Sequence, residues 1–204
     1  MGFYDERVLP YLVHLTMRQE TFLAYRQRVV QDAHGRVLEI GVGSGLNLPL
    51  YGERVRRVTG LDPSPRLLSM ARRAQAGSRV PFELIEASAE AIPLANESID
   101  TVVSTWTLCS IPDALAALRE MRRVLRPAGE LRFIEHGRAP EATVRLWQDR
   151  LTPAWKRLAG GCHLNRPIRE LLEDAGFRVE RMDTGYMKGP KPMTFMYEGQ
   201  ARPQ

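Results

Sequence analysis

Between residues 36 and 136 the chain alternates short, continuous apolar runs with stretches whose apolar positions recur every three or four residues. Arg36 to Ile40, Val55 to Leu61, Val80 to Ala87, Ser98 to Ser104 and Glu130 to Glu135 read as buried strands. A helix follows the second strand, with Ser64 as its cap, Pro65 at its first position and Leu67, Leu68 and Ala71 on its inner face. Another begins at Asp113, buries Leu115, Leu118, Met121 and Leu125, and is stopped by Pro127 and Gly129. Strands alternating with helices in this way predict an α/β fold with a mostly parallel sheet and helices on both faces.

The flanks read differently. Residues 5–33 predict two short helices, one with a stripe of Val8, Leu9, Leu12, Val13 and Leu15, the other with Phe22, Leu23, Tyr25, Val29 and Val30. They either close over a site or cover one face of the sheet. From Gly137 to His163 the pattern is irregular, with Trp147, Pro153, Trp155 and the pair Gly160-Gly161. Asn165 or Arg166 then precedes Pro167 and a helix carrying Ile168, Leu171 and Leu172, which Gly176 closes. Phe177 to Asp183 and Thr194 to Glu198 supply two last strands, making seven, and the final residues read as disordered.

A length of 204 residues with 44% apolar content fits one domain with an ample core. Within it, 1–34 form a helical cap, 35–137 the core, and 138–204 an insertion, a helix and the last two strands. The net charge of +5 comes from twenty-six arginines and three lysines, Lys156, Lys188 and Lys191. The arginines are dispersed, as in Arg56-Arg57, Arg72-Arg73 and Arg122-Arg123, which reads as a solvated surface and not a nucleic-acid tract. No apolar run reaches the roughly eighteen residues of a membrane span. With no signal peptide in view, Cys109 and Cys162 are expected to be reduced thiols in a cytoplasmic protein. No metal site is read from the spacing, and oligomeric state is not legible.

The candidate chemistry begins where the first strand ends. Gly41, Gly43 and Gly45 stand at alternate positions, where a missing Cβ lets main chain pass close to a ligand, and Asp62, about twenty positions on, can accept hydrogen bonds from ribose hydroxyls. A nucleoside cofactor is implied. The dinucleotide fingerprint G-x-G-x-x-G requires glycine at position 46, yet Leu46 stands there. That disfavours a nicotinamide-dependent dehydrogenase.

Glu39-x-Gly41-x-Gly43-x-Gly45 instead resembles the first motif of the class I S-adenosylmethionine-dependent methyltransferases, and the resemblance runs from about Arg36 to Gly137. Asp62-Pro63-Ser64 resembles that family's ribose-binding corner, and Ala87-Ser88-Ala89-Glu90-Ala91-Ile92-Pro93 its adenine-side loop, with Ser88 where the family often has Asp. Ser98 to Ser104 resembles the fourth strand and Val124 to Glu130 the turn before the fifth. The resemblance implies a Rossmann-like fold, S-adenosyl-L-methionine as cofactor, and cofactor contacts from Glu39, Gly41, Gly43, Gly45, Asn47, Asp62, Pro63, Ser64, Ser88, Ala89, Glu90 and Thr105.

In an open α/β sheet the acceptor sits beyond the carboxyl ends of the strands, where Thr105, Trp106, Leu108, Cys109 and His136 fall. Methyl transfer is an in-line displacement that positioning and water exclusion can drive. His136, with an ordinary pKa near 6.5, is the candidate base. No Asn-Pro-Pro-Tyr occurs, which favours a small acceptor over a nucleic acid. Phe133-Ile-Glu-His136-Gly, Leu151-Thr-Pro-Ala-Trp155 and Gly161-Cys-His-Leu-Asn-Arg166 resemble segments of the small-molecule thiol methyltransferases, although Gly160 and His163 replace an Asp and an Asn of that group. Trp106, Cys109, Cys162, His163 and Arg166 are the implied acceptor-side residues, and a thiol is the favoured acceptor, with quinone or phospholipid types as the alternative. The animal members carry an apolar N-terminal anchor, whereas this chain opens Met1-Gly-Phe-Tyr, which implies a soluble relative. A cofactor-binding protein without activity is the remaining alternative, since no residue here is indispensable to methyl transfer.

Overall fold

The computed structural model describes residues 4–74 and 78–204, so the expectation about the opening residues Met1 to Phe3 lies outside the described residues. Seven strands form one sheet in the order β3-β2-β1-β4-β5-β7-β6. They are β1 (Gly35–Ile40), β2 (Val55–Asp62), β3 (Phe82–Glu86), β4 (Ile99–Thr105), β5 (Leu125–His136), β6 (Phe177–Tyr186) and β7 (Phe195–Pro203). The first five are parallel, and β7 runs antiparallel to both β5 and β6. The strand order reverses between β1 and β4, which opens a crevice at their carboxyl ends.

Side chains alternate across the sheet, so each face has its own core. Leu38, Ile40, Leu61, Val102, Leu131 and Phe133 pack with α4 (Ala114–Val124) and α6 (Ile168–Asp174). Val37, Val58, Val103 and Ile134 pack on the other face with Val29 and Val30 of α2 (Glu20–Val30) and Leu68 of α3 (Pro65–Ala74). The strands read as continuous apolar runs because both faces are covered.

Four expectations are corrected. Leu125 does not end α4 but starts β5, pairing with Ile99, and Pro127 and Gly129 lie in a bulge before Glu130 pairs with Thr101. The stretch read as irregular contains a helix of 17 residues, α5 (Ala142–Leu158), whose buried face includes Gln148 and Thr152 beside Val144. Pro153 sits inside it, and the Thr152 hydroxyl bonds back to the Gln148 carbonyl at 2.6 Å. The chain end is ordered by β7, and the Gln204 amide donates to Gly176 at 2.9 Å. Finally, the apolar stripe of α1 (Leu9–Met17) is not buried as a unit, with Leu12 47% and Leu15 61% exposed.

The two readings of the N-terminal helices divide between them. Helix α2 covers the sheet, whereas α1 roofs the crevice. Among the described residues no helix is long and apolar enough to cross a membrane. Many surface arginines meet carboxylates, as in Arg28 with Glu198, Arg123 with Glu120 and Arg132 with Asp32.

Candidate active site

A cavity of about 670 Å³ occupies the crevice, a size suited to a nucleoside ligand together with a small second molecule. Its floor is the glycine turn after β1, and its roof is α1, which contributes Leu9, Leu12, Val13, His14 and Met17. His14 Nδ1 lies 2.7 Å from Ser44 Oγ and ties roof to floor. At the far end stand Trp155, Leu158, Cys162, Met193 and Met196.

The three glycines share positive φ, at +63°, +54° and +81°, but for different steric reasons. A Cβ on Gly41 would strike Thr107 and one on Gly45 would strike Leu48 and Ala71, so these two serve packing of the protein on itself. Gly43 is the one whose Cβ would meet open space, with only the Gly41 carbonyl at 3.8 Å. That space is the cradle a ligand would fill.

Asp62, at the end of β2, faces this cradle. Its Oδ2 accepts the Gly43 N–H at 3.0 Å and its Oδ1 the Ser64 N–H at 2.8 Å. Each carboxylate oxygen keeps a second acceptor site for a ligand hydroxyl. Burial raises its pKa while the two amides oppose the rise. Pro63, Ser64, Ser88 and Ala89 line the cavity beside it. Glu90 does not, because its carboxylate is held by Ser88 Oγ at 2.8 Å and by the Asp113 N–H at 2.7 Å.

Glu39 and Asn47 lie behind the wall. Glu39 is fully buried and accepts from Asn47 Nδ2 at 2.9 Å and from the Tyr51 hydroxyl at 2.8 Å. Burial pushes its pKa up to about 7, against the pull of those bonds and of Arg26. Arg26, from α2, was not singled out in the sequence. Its Nη1 donates to Asn47 Oδ1 at 2.8 Å and Thr105 Oγ1 at 3.4 Å, and desolvation lowers its pKa to about 10. Arg26 lines the cavity, so its cation, joined to the buried Glu39 through Asn47, faces the ligand space.

At the acceptor end, Trp106 follows β4 with φ of +52°, a strained conformation for a bulky residue. Glu135, fully buried on β5, holds the loop after it by accepting from Ser104 Oγ at 2.7 Å, the Thr107 N–H at 3.2 Å and the Leu108 N–H at 3.0 Å. Its pKa is pushed up to about 7 by burial. Cys109, His136 and Cys162 all line the cavity, with Cys162 Sγ 3.8 Å from His136 Nδ1. Both cysteines are free thiols. The close approach of the two thiols raises the pKa of Cys109, with burial adding to the rise, and lowers that of Cys162 against its own burial.

His163 and Arg166 stand outside the cavity and brace its wall. The His163 N–H donates to the Cys109 carbonyl at 2.7 Å, and Arg166 donates to the Ile111 carbonyl and, at 3.2 Å, to that of Pro112. A separate cavity of about 350 Å³, lined by Arg138, Arg145, Glu170 and Tyr197, has no contact with the glycine turn.

These features place the chain in the class I S-adenosylmethionine-dependent methyltransferases, to which it belongs, and S-adenosylmethionine is its cofactor. Residues 38–133 match the family described as methyltransferase domain. The chain is 35% identical over 173 residues to the thiol S-methyltransferase TMT1B of Homo sapiens, which covers 82% of this chain and 69% of that enzyme. It is 40% identical over 104 residues to the phosphatidylethanolamine N-methyltransferase of Cereibacter sphaeroides, covering 50% of this chain and 51% of the other. A solved structure of an S-adenosylmethionine-dependent methyltransferase from Aquifex aeolicus shares the fold, with a TM-score of 0.66 at 19% identity over 94% of this chain and 97% of that one.

Proposed function

We propose that this methyltransferase acts on the sulfur of a small, lipophilic thiol. S-adenosylmethionine supplies an electrophilic methyl group carried on a sulfonium. Asp62 would hold the ribose hydroxyls, Ser88 and Ala89 the adenine side, and Gly43 the closest main-chain approach, with Arg26 and Thr105 toward the methionyl end. The acceptor's S–H proton is lost to solvent, its sulfur attacks, the S–CH3 bond forms, and the electron pair of the broken methyl–sulfonium bond stays on the cofactor's sulfur.

The observation that carries the reading is the composition of the acceptor end. The segments resembling thiol methyltransferases contribute His136, Trp155 and Cys162 to one cavity wall, with Leu158, Met193 and Met196 completing it. Such a wall desolvates a thiolate and strengthens it as a nucleophile. The likeness to TMT1B supports the same acceptor.

The second reading, methylation of a phospholipid amine, draws on the likeness to the Cereibacter enzyme. An ammonium head group needs an anionic partner. Asp62 is the one carboxylate among the described residues that line the cavity, and it sits at the cofactor end. Incubation with radiolabelled cofactor and a panel of alkyl thiols, aryl thiols, quinols and phosphatidylethanolamine tests the choice. Labelled thioethers are expected; label in the quinol or lipid alone would refute the thiol reading.

A further inference from the structure

Three residues far apart in sequence converge at the acceptor end. Cys109 comes from the loop after β4, His136 from the last position of β5 and Cys162 from the loop after α5. One ligand atom from each lies within 4.8 Å of the others. Cys109 is 4% and His136 5% exposed. His136 Nε2 is buried with no hydrogen-bond partner, and Nδ1 has only the long contact to the Cys162 sulfur. The nitrogen that faces the thiols, Nδ1, therefore has no strong partner among the described residues, and little in the protein holds the imidazole.

We infer that Cys109, His136 and Cys162 form a binding site for a soft divalent cation, zinc by its chemistry, whose open fourth position receives the acceptor thiol.

Two sulfurs and an imidazole are the donor set that selects zinc over magnesium or calcium. Tetrahedral bonds of about 2.3 Å to sulfur and about 2.0 Å to nitrogen place neighbouring ligand atoms roughly 3.5 to 3.8 Å apart. The 3.8 Å between Cys162 Sγ and His136 Nδ1 is within a few tenths of an ångström of the sulfur–nitrogen spacing, and the remaining pairs, all within 4.8 Å, need only a small inward adjustment of side chains. Three protein ligands with one vacancy is the pattern of a catalytic zinc, where a structural one is closed by four. All three residues border the cavity, so the vacancy opens onto the acceptor space.

The scaffold holds two of the three in place by bonds that do not involve their side chains. The Cys109 carbonyl accepts the His163 N–H, locking the two cysteine loops together, and Glu135 fixes the amides of Thr107 and Leu108 just before Cys109. Preorganisation of this kind is what a tight metal site needs. The role also answers a chemical need, since the acceptor end presents no carboxylate base among the described lining residues. A thiol bound to such a cation loses its proton to solvent and attacks as a thiolate.

This inference rests on the thiol reading for its acceptor but not for the metal site itself. Protein prepared under reductant and stripped by a chelator is titrated with Co²⁺ as a spectroscopic probe and then with Zn²⁺. One equivalent of Co²⁺ should give the visible bands of tetrahedral coordination and a sulfur-to-metal charge-transfer band, both erased by Zn²⁺. Cys162→Ser and His136→Ala should each weaken Zn²⁺ binding by more than about 100-fold while circular dichroism stays native. An alkyl thiol should shift the charge-transfer band, and stripped protein should lose thiol methylation until Zn²⁺ is restored. No tetrahedral spectrum in the folded wild-type protein, or a spectrum indifferent to both substitutions, overturns the site. Undiminished thiol methylation by stripped protein overturns its role in receiving the acceptor. A tetrahedral spectrum without methylation of any thiol upholds the site and refutes the thiol reading instead.

Discussion

The Arg26 guanidinium carbon lies 5.1 Å from the centre of the Trp106 ring, so a buried cation on α2 leans on the strained residue that follows β4. The same guanidinium bonds Asn47, which bonds Glu39, and the network links three elements behind the cofactor cavity. Removing one partner of a buried charged network leaves the other uncompensated. Arg26→Leu should therefore destabilise the fold by about 3 kcal/mol in urea denaturation. Adding Glu39→Gln should recover part of that loss, since the orphaned charge goes too. Additive losses in the double variant would show that the two residues act independently.

Glu39 also sets a pH dependence. Its folded pKa, about 7, lies above the ordinary 4.5, so the native state binds the proton more tightly than the unfolded chain. Its contribution is therefore neutral below pH 4.5, becomes destabilising as pH rises through the window up to about 7, and levels off above it. Glu39→Gln removes this term. Relative to the wild type, the variant should gain on the order of 3 kcal/mol in unfolding free energy across that window. A constant difference between the two proteins at all pH values would contradict the shift.

Cofactor binding should respond to Asp62→Ala and Gly43→Val by separate routes. The first loses an acceptor to the ligand, worth about 1.5 to 3 kcal/mol for a charged hydrogen bond, or roughly 10- to 100-fold in affinity. The second thrusts a branched side chain from φ of +54° into the cradle and adds backbone strain. Calorimetry with S-adenosylmethionine, beside circular dichroism, checks both. Unchanged affinity in native-like variants would move the cofactor elsewhere.

Gln148 is completely buried on α5 and bonds the Ala139 N–H at 2.9 Å and the carbonyls of Gly137 at 3.0 Å and Pro192 at 3.2 Å. Gln148→Leu keeps the bulk but leaves those backbone groups unpaired, at about 1 to 3 kcal/mol for each group denied water. Thermal unfolding should show the loss, while Trp147→Ala, a half-exposed neighbour, should leave the melting temperature nearly unchanged.

That contrast explains what the sequence made legible. Strands buried on both faces announce themselves as unbroken apolar runs, so β1, β2 and β4 were readable to within a residue or two. Helix α5 was not, because Gln148 and Thr152 occupy its inner face and break the apolar period. Asp62 and the glycines were legible because a turn and a strand end lie in one local pattern. Arg26 was not, since a charged residue is ordinarily read as exposed. His163 and Arg166 were read as touching the acceptor, yet they work one layer out. Cys109, His136 and Cys162 are separated by long stretches of chain, and only the order of strands across the sheet brings them together.

Helix α1 covers both the glycine turn and, through Leu9 against Gly160, the far wall. The same helix thus borders both ends of one continuous, half-open cavity, so cofactor and acceptor are brought together along a single shared apolar surface.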